Sequence, residues 1–237
     1  MSDVITSGMV LAAGLGTRMR PLTLTTPKPL IPVAGRTMAD RALDRLKEAG
    51  VTQAVLNISY LGEQIEAHFA TRTDLDIQLS KEDEPLETGG GVHKALPMLS
   101  GDAFFVMNGD AVLVNGEQPT LQRLADQWGA DLDVLLLLLP IEKATGYEGY
   151  GDFTLNEEKV PAFRGEAPSA PYVFSGTQIL SRRVFDGRKT GKWSLREVYQ
   201  DAIVQGRAQA IVHDGDWLHV GTPEGLEVAE RYFAECD

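Results

Sequence analysis

Leu11-Ala12-Ala13-Gly14-Leu15-Gly16-Thr17-Arg18-Met19-Arg20-Pro21-Leu22-Thr23, followed by Pro27-Lys28-Pro29, decides how this chain is read. Met9–Ala13 has the short apolar run of a buried strand, and it enters a loop containing Gly14 and Gly16. Small residues there let a ligand approach the backbone, so that amide N–H groups can point at phosphate oxygens. Arg18 and Lys28 place positive charge beside the loop. A guanidinium grips phosphate with two bonds, and an ammonium acts as a point charge. Taken alone, a Gly-x-Gly is as readily a tight turn. Two common phosphate motifs are excluded: position 19 is Met where Gly-x-Gly-x-x-Gly needs glycine, and no Gly-x-x-x-x-Gly-Lys-Ser/Thr occurs. Gly187–Ser194 only approaches the latter, with Trp193 intervening, and reads as a solvated turn.

Outward from the motif, apolar runs alternate with amphipathic stretches. Strands are expected at Ala54–Ile58, Ile77–Ser80, Phe104–Met107 and Asp133–Leu139. Helices are expected at Met38–Ala49, Leu61–Ala70, Thr120–Trp128 and, opened by a glycine run, Gly91–Leu99. This alternation predicts an α/β fold, a mainly parallel sheet with helices on both faces. After Glu142 the texture changes to a glycine- and tyrosine-rich segment, Gly146–Gly151. Strands then follow at Gly151–Leu155, Tyr172–Leu180 and Ala208–His213, with helices at Ser194–Gln205 and Pro223–Ala234. No linker separates the two stretches, so one domain is expected over residues 1–237, with 1–140 and 141–237 as its two parts.

The formal net charge is −12, and no basic run exceeds two residues. Such a chain repels nucleic acid and anionic membranes. The longest apolar run, Val134–Pro140, is too short to span a bilayer, and Met1–Gly8 lacks the basic start of a secretory leader. The single cysteine, Cys236, has no partner for an intramolecular disulfide. A cytoplasmic protein without nucleic-acid or membrane partners is expected. Its oligomeric state is left open.

The Leu11–Thr23 string with Pro27–Pro29 resembles the signature of the sugar-1-phosphate nucleotidyltransferases, L-A-A-G-x-G-T-R-x-x-P-L-T then P-K-P, with every fixed position present. The resemblance implies a Rossmann-like mixed sheet and a reaction between a nucleoside triphosphate and a sugar-1-phosphate, with residues 1–140 binding nucleotide and 141–237 binding sugar. It also implies roles. Leu11, Ala12, Ala13, Gly14, Gly16 and Thr17 would bind the nucleotide, Arg18 the departing phosphates, and Lys28 the phosphate of the attacking sugar. Two polyanions must meet, so positioning and charge neutralisation are most of such catalysis.

Asp110 follows an apolar strand and Asn108-Gly109, at the strand end where parallel sheets bind ligands. Read by itself, Asn-Gly-Asp is an ordinary turn. The resemblance makes Asp110 a Mg²⁺ ligand. The family's second carboxylate, in W-x-D-V-G-T, is absent: the chain reads Trp217-Leu218-His219-Val220-Gly221-Thr222. Imidazole suits Mn²⁺ or other softer metals better than Mg²⁺. Three arrangements follow: Asp110 with phosphates and water, Asp214 or Asp216 reaching in, or His219 as a ligand or phosphate neighbour. The departure also admits a non-catalytic sensor of nucleotide-sugars.

The stretch Leu86-Glu-Thr-Gly-Gly-Gly-Val, with Lys94-Ala-Leu-Pro-Met-Leu behind it, is similar to the N-acetylmuramate-1-phosphate uridylyltransferases of cell-wall recycling. That similarity implies base contacts from Thr88, Gly89 and Gly90, with Glu82 accepting a hydrogen bond from the uracil N3–H. It implies sugar contacts from Asn108, Gly151, Asp152, Ser175 and Gly176. Without it, the same glycines read as a helix cap. The alternative substrate pair is GTP with mannose-1-phosphate.

Overall fold

A computed structural model describes residues 4–236; Asp3 and the side chain of Cys236 lie outside the described part. The strands are β1 (Ser7–Leu11), β2 (Pro32–Val33), β3 (Arg36–Thr37), β4 (Gln53–Ile58), β5 (Asp76–Lys81), β6 (Ala103–Asn108) and β7 (Ala111–Leu113), continuing with β8 (Val134–Pro140), β9 (Ala144–Thr145), β10 (Phe153–Leu155), β11 (Pro161–Phe163), β12 (Tyr172–Ser181), β13 (Ala208–Val212) and β14 (Trp217–His219). The helices are α1 (Met38–Glu48), α2 (Gly62–Phe69), α3 (Glu87–Ala95), α4 (Thr120–Gln127), α5 (Arg196–Val204) and α6 (Pro223–Cys236).

The main sheet runs β5-β4-β1-β6-β12-β8-β13, with β10 and β11 attached at the start of β12. β5, β4, β1 and β6 are parallel, as are β8 and β13. β12 runs antiparallel between β6 and β8. The sheet is therefore mixed and mainly parallel. Because β12 and β13 come from the second part of the chain, both parts share one sheet.

The strands alternate between two cores, as a pleated sheet requires. Val10, Leu56, Phe105, Leu135 and Leu137 pack on one face with Leu43, Leu46 and Ile65 from α1 and α2 and Leu124 from α4. Met9, Val55, Val106, Leu136 and Leu138 pack on the other with Val92 from α3 and Val198 from α5. This explains the unbroken apolar run of β8: it is buried on both faces. α1 is amphipathic and begins at Thr37, whose hydroxyl accepts the Asp40 N–H.

A smaller sheet, β7-β14-β9, escaped the sequence reading because its strands are two or three residues long. Val112, Leu218 and Val220 from this region pack with Met19, Met38 and α6 residue Ala229. That third core fastens the glycine-loop segment to the end of the chain.

Candidate active site

Three parallel strands end level with one another. Leu11 pairs in register with Asn57 of β4 and with Asn108 of β6. All three line a cavity of about 220 Å³ together with Ala12, Ala13, Gly14, Lys28 and Asp110. The cavity thus opens at the carboxyl ends of the parallel strands. Gly109 donates its N–H to the Leu11 carbonyl at 2.9 Å, and a Cβ there would sit 2.8 Å from that oxygen. Glycine is needed for this turn, which delivers Asp110 to the cavity.

The glycine-loop motif packs as one unit. Gly16 has φ +60°, and a Cβ on it would meet Thr23 at 2.9 Å and Lys28 at 3.0 Å. The Thr23 hydroxyl donates to the Gly16 carbonyl at 2.8 Å, and Met19 is fully buried beneath. Residues separated in the motif therefore hold one another in place. Gly14 has open space around it, and Thr17 is exposed. The Ala12 N–H is already donated to Asn57 Oδ1 at 2.8 Å, so that amide serves the fold. Lys28, 7% exposed, holds Asp110 Oδ2 at 2.9 Å. Arg18 is exposed and pairs with no carboxylate among the described residues.

Asn57 was missed in the sequence, where it is an ordinary strand residue. Its amide joins two loops: it accepts from Ala12 and donates to Glu82 Oε1 at 2.8 Å. Glu82 is buried, and its other oxygen accepts the Leu86 N–H at 2.9 Å. Glu82 does reach the cavity, but both its oxygens already hold protein donors. We expect Glu82→Gln to turn one acceptor into a donor facing a donor, at a cost of about 1–3 kcal/mol. A lowered Tm with a raised KM for nucleotide is the expected result. Unchanged values for both would show that this network is dispensable.

α3 starts at Glu87, four residues before the expected Gly91, so the glycines lie inside the helix. Each is needed for close approach. A side chain on Gly89 would overlap the Trp193 ring, on Gly90 the Gly191 carbonyl, and on Gly91 the Glu82 carboxylate. The Gly89 and Gly90 N–H groups both donate to the Trp193 carbonyl, at 2.9 and 3.1 Å. Thr88 lines the cavity, while its hydroxyl accepts the Leu195 N–H at 2.9 Å. Gly89 and Gly90 therefore spend their amides on the segment ending at Trp193. Most of Gly187–Lys192 is the exposed turn expected from sequence, but its end is not: Trp193 docks on α3, edge-on to His93 and tilted against Phe185.

On the sugar-side positions, Gly151 has φ +78° and lies against the Ala170 carbonyl, and Gly176 has φ +81° with Asn108 where its side chain would be. Gly176 and Asn108 are thus brought together beside the cavity. Asp152 Oδ2 accepts the Phe174 N–H at 2.9 Å, which fixes the Gly151–Asp152 turn to β12. Ser175 corrects the expectation of a free hydroxyl: it is buried, donates to Leu137 O at 2.8 Å and accepts from Thr177 N at 3.1 Å. Tyr147, which sequence reading did not single out, packs edge-on against His219 and Trp217. Burial holds its phenol above the ordinary value, Asp152 adding to this, and the Gly151 backbone and Arg164 opposing it.

His219 pairs with Ala111 across β14 and β7, which sets it beside Asp110. Its ring stacks on Trp217 at 5.5 Å. Burial holds the imidazole below its ordinary value; Asp110 opposes this, while Lys28 and Arg18 reinforce it. Arg18, Lys28, Asp110 and His219 therefore share one field. Asp214 and Asp216 do not reach in: Asp214 pairs with Arg123, and Asp216 accepts from the Tyr232 hydroxyl at 2.6 Å. Among the described residues no three His, Cys, Asp or Glu side chains form a metal cage. The donor set here is one partly exposed carboxylate, Asp110, with one oxygen already shared with Lys28. That suits Mg²⁺, which keeps waters and binds through one or two carboxylates plus phosphates.

Comparisons with known proteins place the whole chain in one family. The sequence profile described as nucleotidyl transferase matches residues 7–235. The chain is 35% identical to the N-acetylmuramate alpha-1-phosphate uridylyltransferase of Caulobacter vibrioides, covering 100% of each. It is 37% identical to the protein of that name from Neisseria meningitidis serogroup B, over 94% of this chain and 96% of that one. The solved inositol-1-phosphate CTP transferase of T. maritima superposes with a TM-score of 0.80 at 17% identity, covering 98% of this chain and 97% of that one, a likeness of fold. Given a profile match along almost all its length and full-length relatives above 30% identity, this chain belongs to the nucleotidyl transferase family and is a nucleotidyltransferase.

Proposed function

We propose that this enzyme transfers uridylyl from UTP to N-acetylmuramate-1-phosphate and releases pyrophosphate. The observation that carries the chemistry is Lys28 bonded to Asp110 at the cavity mouth, beside the packed glycine loop. The relatives' names supply the substrate pair. The single shared sheet supports one domain, with residues 1–140 serving the nucleotide and 141–237 the sugar. A cytoplasmic place in cell-wall recycling accords with the acidic charge, and no helix of the described residues is long and apolar enough to cross a membrane.

In this mechanism the Leu11–Thr17 loop receives the triphosphate at the strand ends. Arg18, exposed and in no ion pair among the described residues, neutralises the departing β- and γ-phosphates. Lys28 holds the phosphate of the sugar and aims its oxygen in line at the α-phosphorus. That phosphate is already ionised at neutral pH, so no side chain needs to remove a proton. Asp110 would hold Mg²⁺, which supplies Lewis-acid stabilisation of charge on the α-phosphate. Thr88 and the α3 entrance flank the base, and Gly151, Asp152, Gly176 and Asn108 flank the sugar.

Pyrophosphate release over UTP, GTP, dTTP and CTP against several sugar-1-phosphates, with Mg²⁺ and with Mn²⁺, tests the reading. Turnover with UTP and N-acetylmuramate-1-phosphate is expected. GTP with mannose-1-phosphate would overturn the substrate pair and keep the mechanism; silence throughout would favour a binding protein. His219→Asp supplies the family's second carboxylate beside Asp110. It is expected to preserve or raise Mg²⁺-dependent turnover relative to Mn²⁺. Loss of activity in a folded variant would assign the imidazole a role of its own.

A further inference from the structure

We propose that Arg164 selects the sugar by pairing with the lactyl carboxylate that distinguishes N-acetylmuramate-1-phosphate from N-acetylglucosamine-1-phosphate; this rests on the substrate reading above. Arg164 is a half-buried residue in a chain of net charge −12, and among the described residues it is in no ion pair. Most partly buried arginines here do have carboxylate partners: Arg72 with Asp40, Asp44 and Asp74, Arg123 with Asp214, Arg188 with Asp201. The Tyr150 ring centroid lies 5.9 Å from the Arg164 Cζ. A partly desolvated cation without a counter-charge is well placed to take one from a ligand.

Its position fits the sugar end. The Arg164 backbone N–H donates to the Asp152 carbonyl at 2.8 Å, so the residue is fixed to the Gly151–Asp152 turn. Asp152 does not compete for the guanidinium, since its own carboxylate accepts from Phe174 N. Tyr147 links this turn to His219 and so to Asp110 and Lys28. Arg18 lies within electrostatic reach of His219, and Arg164 within electrostatic reach of Tyr147. Arg196, also without a carboxylate, instead lies 3.9 Å from the Phe163 ring and belongs to α5. A sugar held by phosphate at Lys28 would carry its second anion away from the phosphate cations, where a separate cation is needed. Arg presents the planar fork that a carboxylate matches.

The test compares wild type, Arg164→Gln and Arg164→Lys in steady-state turnover with UTP and each of the two sugar-1-phosphates. Arg164→Gln is expected to lose about 10- to 100-fold in kcat/KM for the muramate sugar, mostly through KM, as for one charged hydrogen-bonded contact. Its Tm and its KM for UTP stay at the wild-type values, which shows that the variant is folded. Arg164→Lys recovers part of the loss. An equal fall with both sugars, or no fall with the muramate sugar, overturns the proposal. So does a wild-type enzyme that uses N-acetylglucosamine-1-phosphate in preference, although uridylyl transfer then stands. Silence of the wild type with both sugars overturns the functional reading itself, and this proposal with it.

Discussion

Asp110→Asn is expected to lower turnover by about 10²-fold or more with the fold intact, and Lys28→Ala to do the same, as for removal of a group that stabilises developing charge. The two side chains meet at 2.9 Å, Lys28 from the loop after the motif and Asp110 from the turn after β6. Asparagine keeps the volume of Asp110 and an oxygen to accept from Lys28, so the local packing survives. It removes the charge that would hold a divalent cation. Lys28 is buried and lines the same cavity, so its loss takes away the cation proposed to position the sugar phosphate. For Lys28→Ala the fall should appear in both kcat and the KM of the sugar phosphate. Pyrophosphate release and thermal unfolding, measured on the same samples, separate catalysis from folding. Near-normal turnover in folded Asp110→Asn would remove Asp110 from the chemistry.

Gly151→Ala should produce the largest loss of stability among the single changes considered. Two penalties fall on one methyl group. The residue has φ +78°, and its Cβ would overlap the Ala170 carbonyl. Ala170 cannot move aside cheaply, because its N–H is donated to Tyr150 O at 2.7 Å. The left-handed backbone costs about 1–2 kcal/mol in an L-residue. Overpacking adds about 1–3 kcal/mol. Together they predict about 2–5 kcal/mol and a Tm lowered by roughly 5–15 °C for a chain of this size. The Gly151–Asp152 turn also carries Arg164, so the KM for sugar should rise with little change in the KM for nucleotide. A Tm within a degree or two of wild type would mean that the turn relaxes freely.

Much of the scaffold was legible in the sequence because its signals are local. Val134–Leu139 reads as a strand from six consecutive apolar residues, and α1 reads as a helix from the spacing of Met38, Ala42 and Leu46. The glycine loop was legible for a related reason: Gly16, Thr23 and Lys28 touch one another over a short stretch of chain. Where local signals misled, a distant partner was the cause. Three glycines in a row argue against a helix. Yet α3 includes them, because Trp193 and Gly191 pack where side chains would be and the Trp193 carbonyl accepts two of the amides. Ser175 looked like a polar sugar contact, but Leu137 and Thr177 use its hydroxyl within the sheet.

By itself, the order of residues determined the α/β class, the glycine loop and the identity of its charged side chains. Period, turn chemistry and short-range contacts are all written between near neighbours. Tertiary structure alone decided that Leu11, Asn57 and Asn108 end level, that β12 enters the sheet antiparallel, and that His219 lies beside Asp110. It also decided that Glu82 is bound by Asn57 and Leu86, and that Arg164 is in no ion pair among the described residues. These depend on strand register and on which distant groups compete for the same hydrogen bond or ion pair. Such competition is settled only when the whole chain has packed.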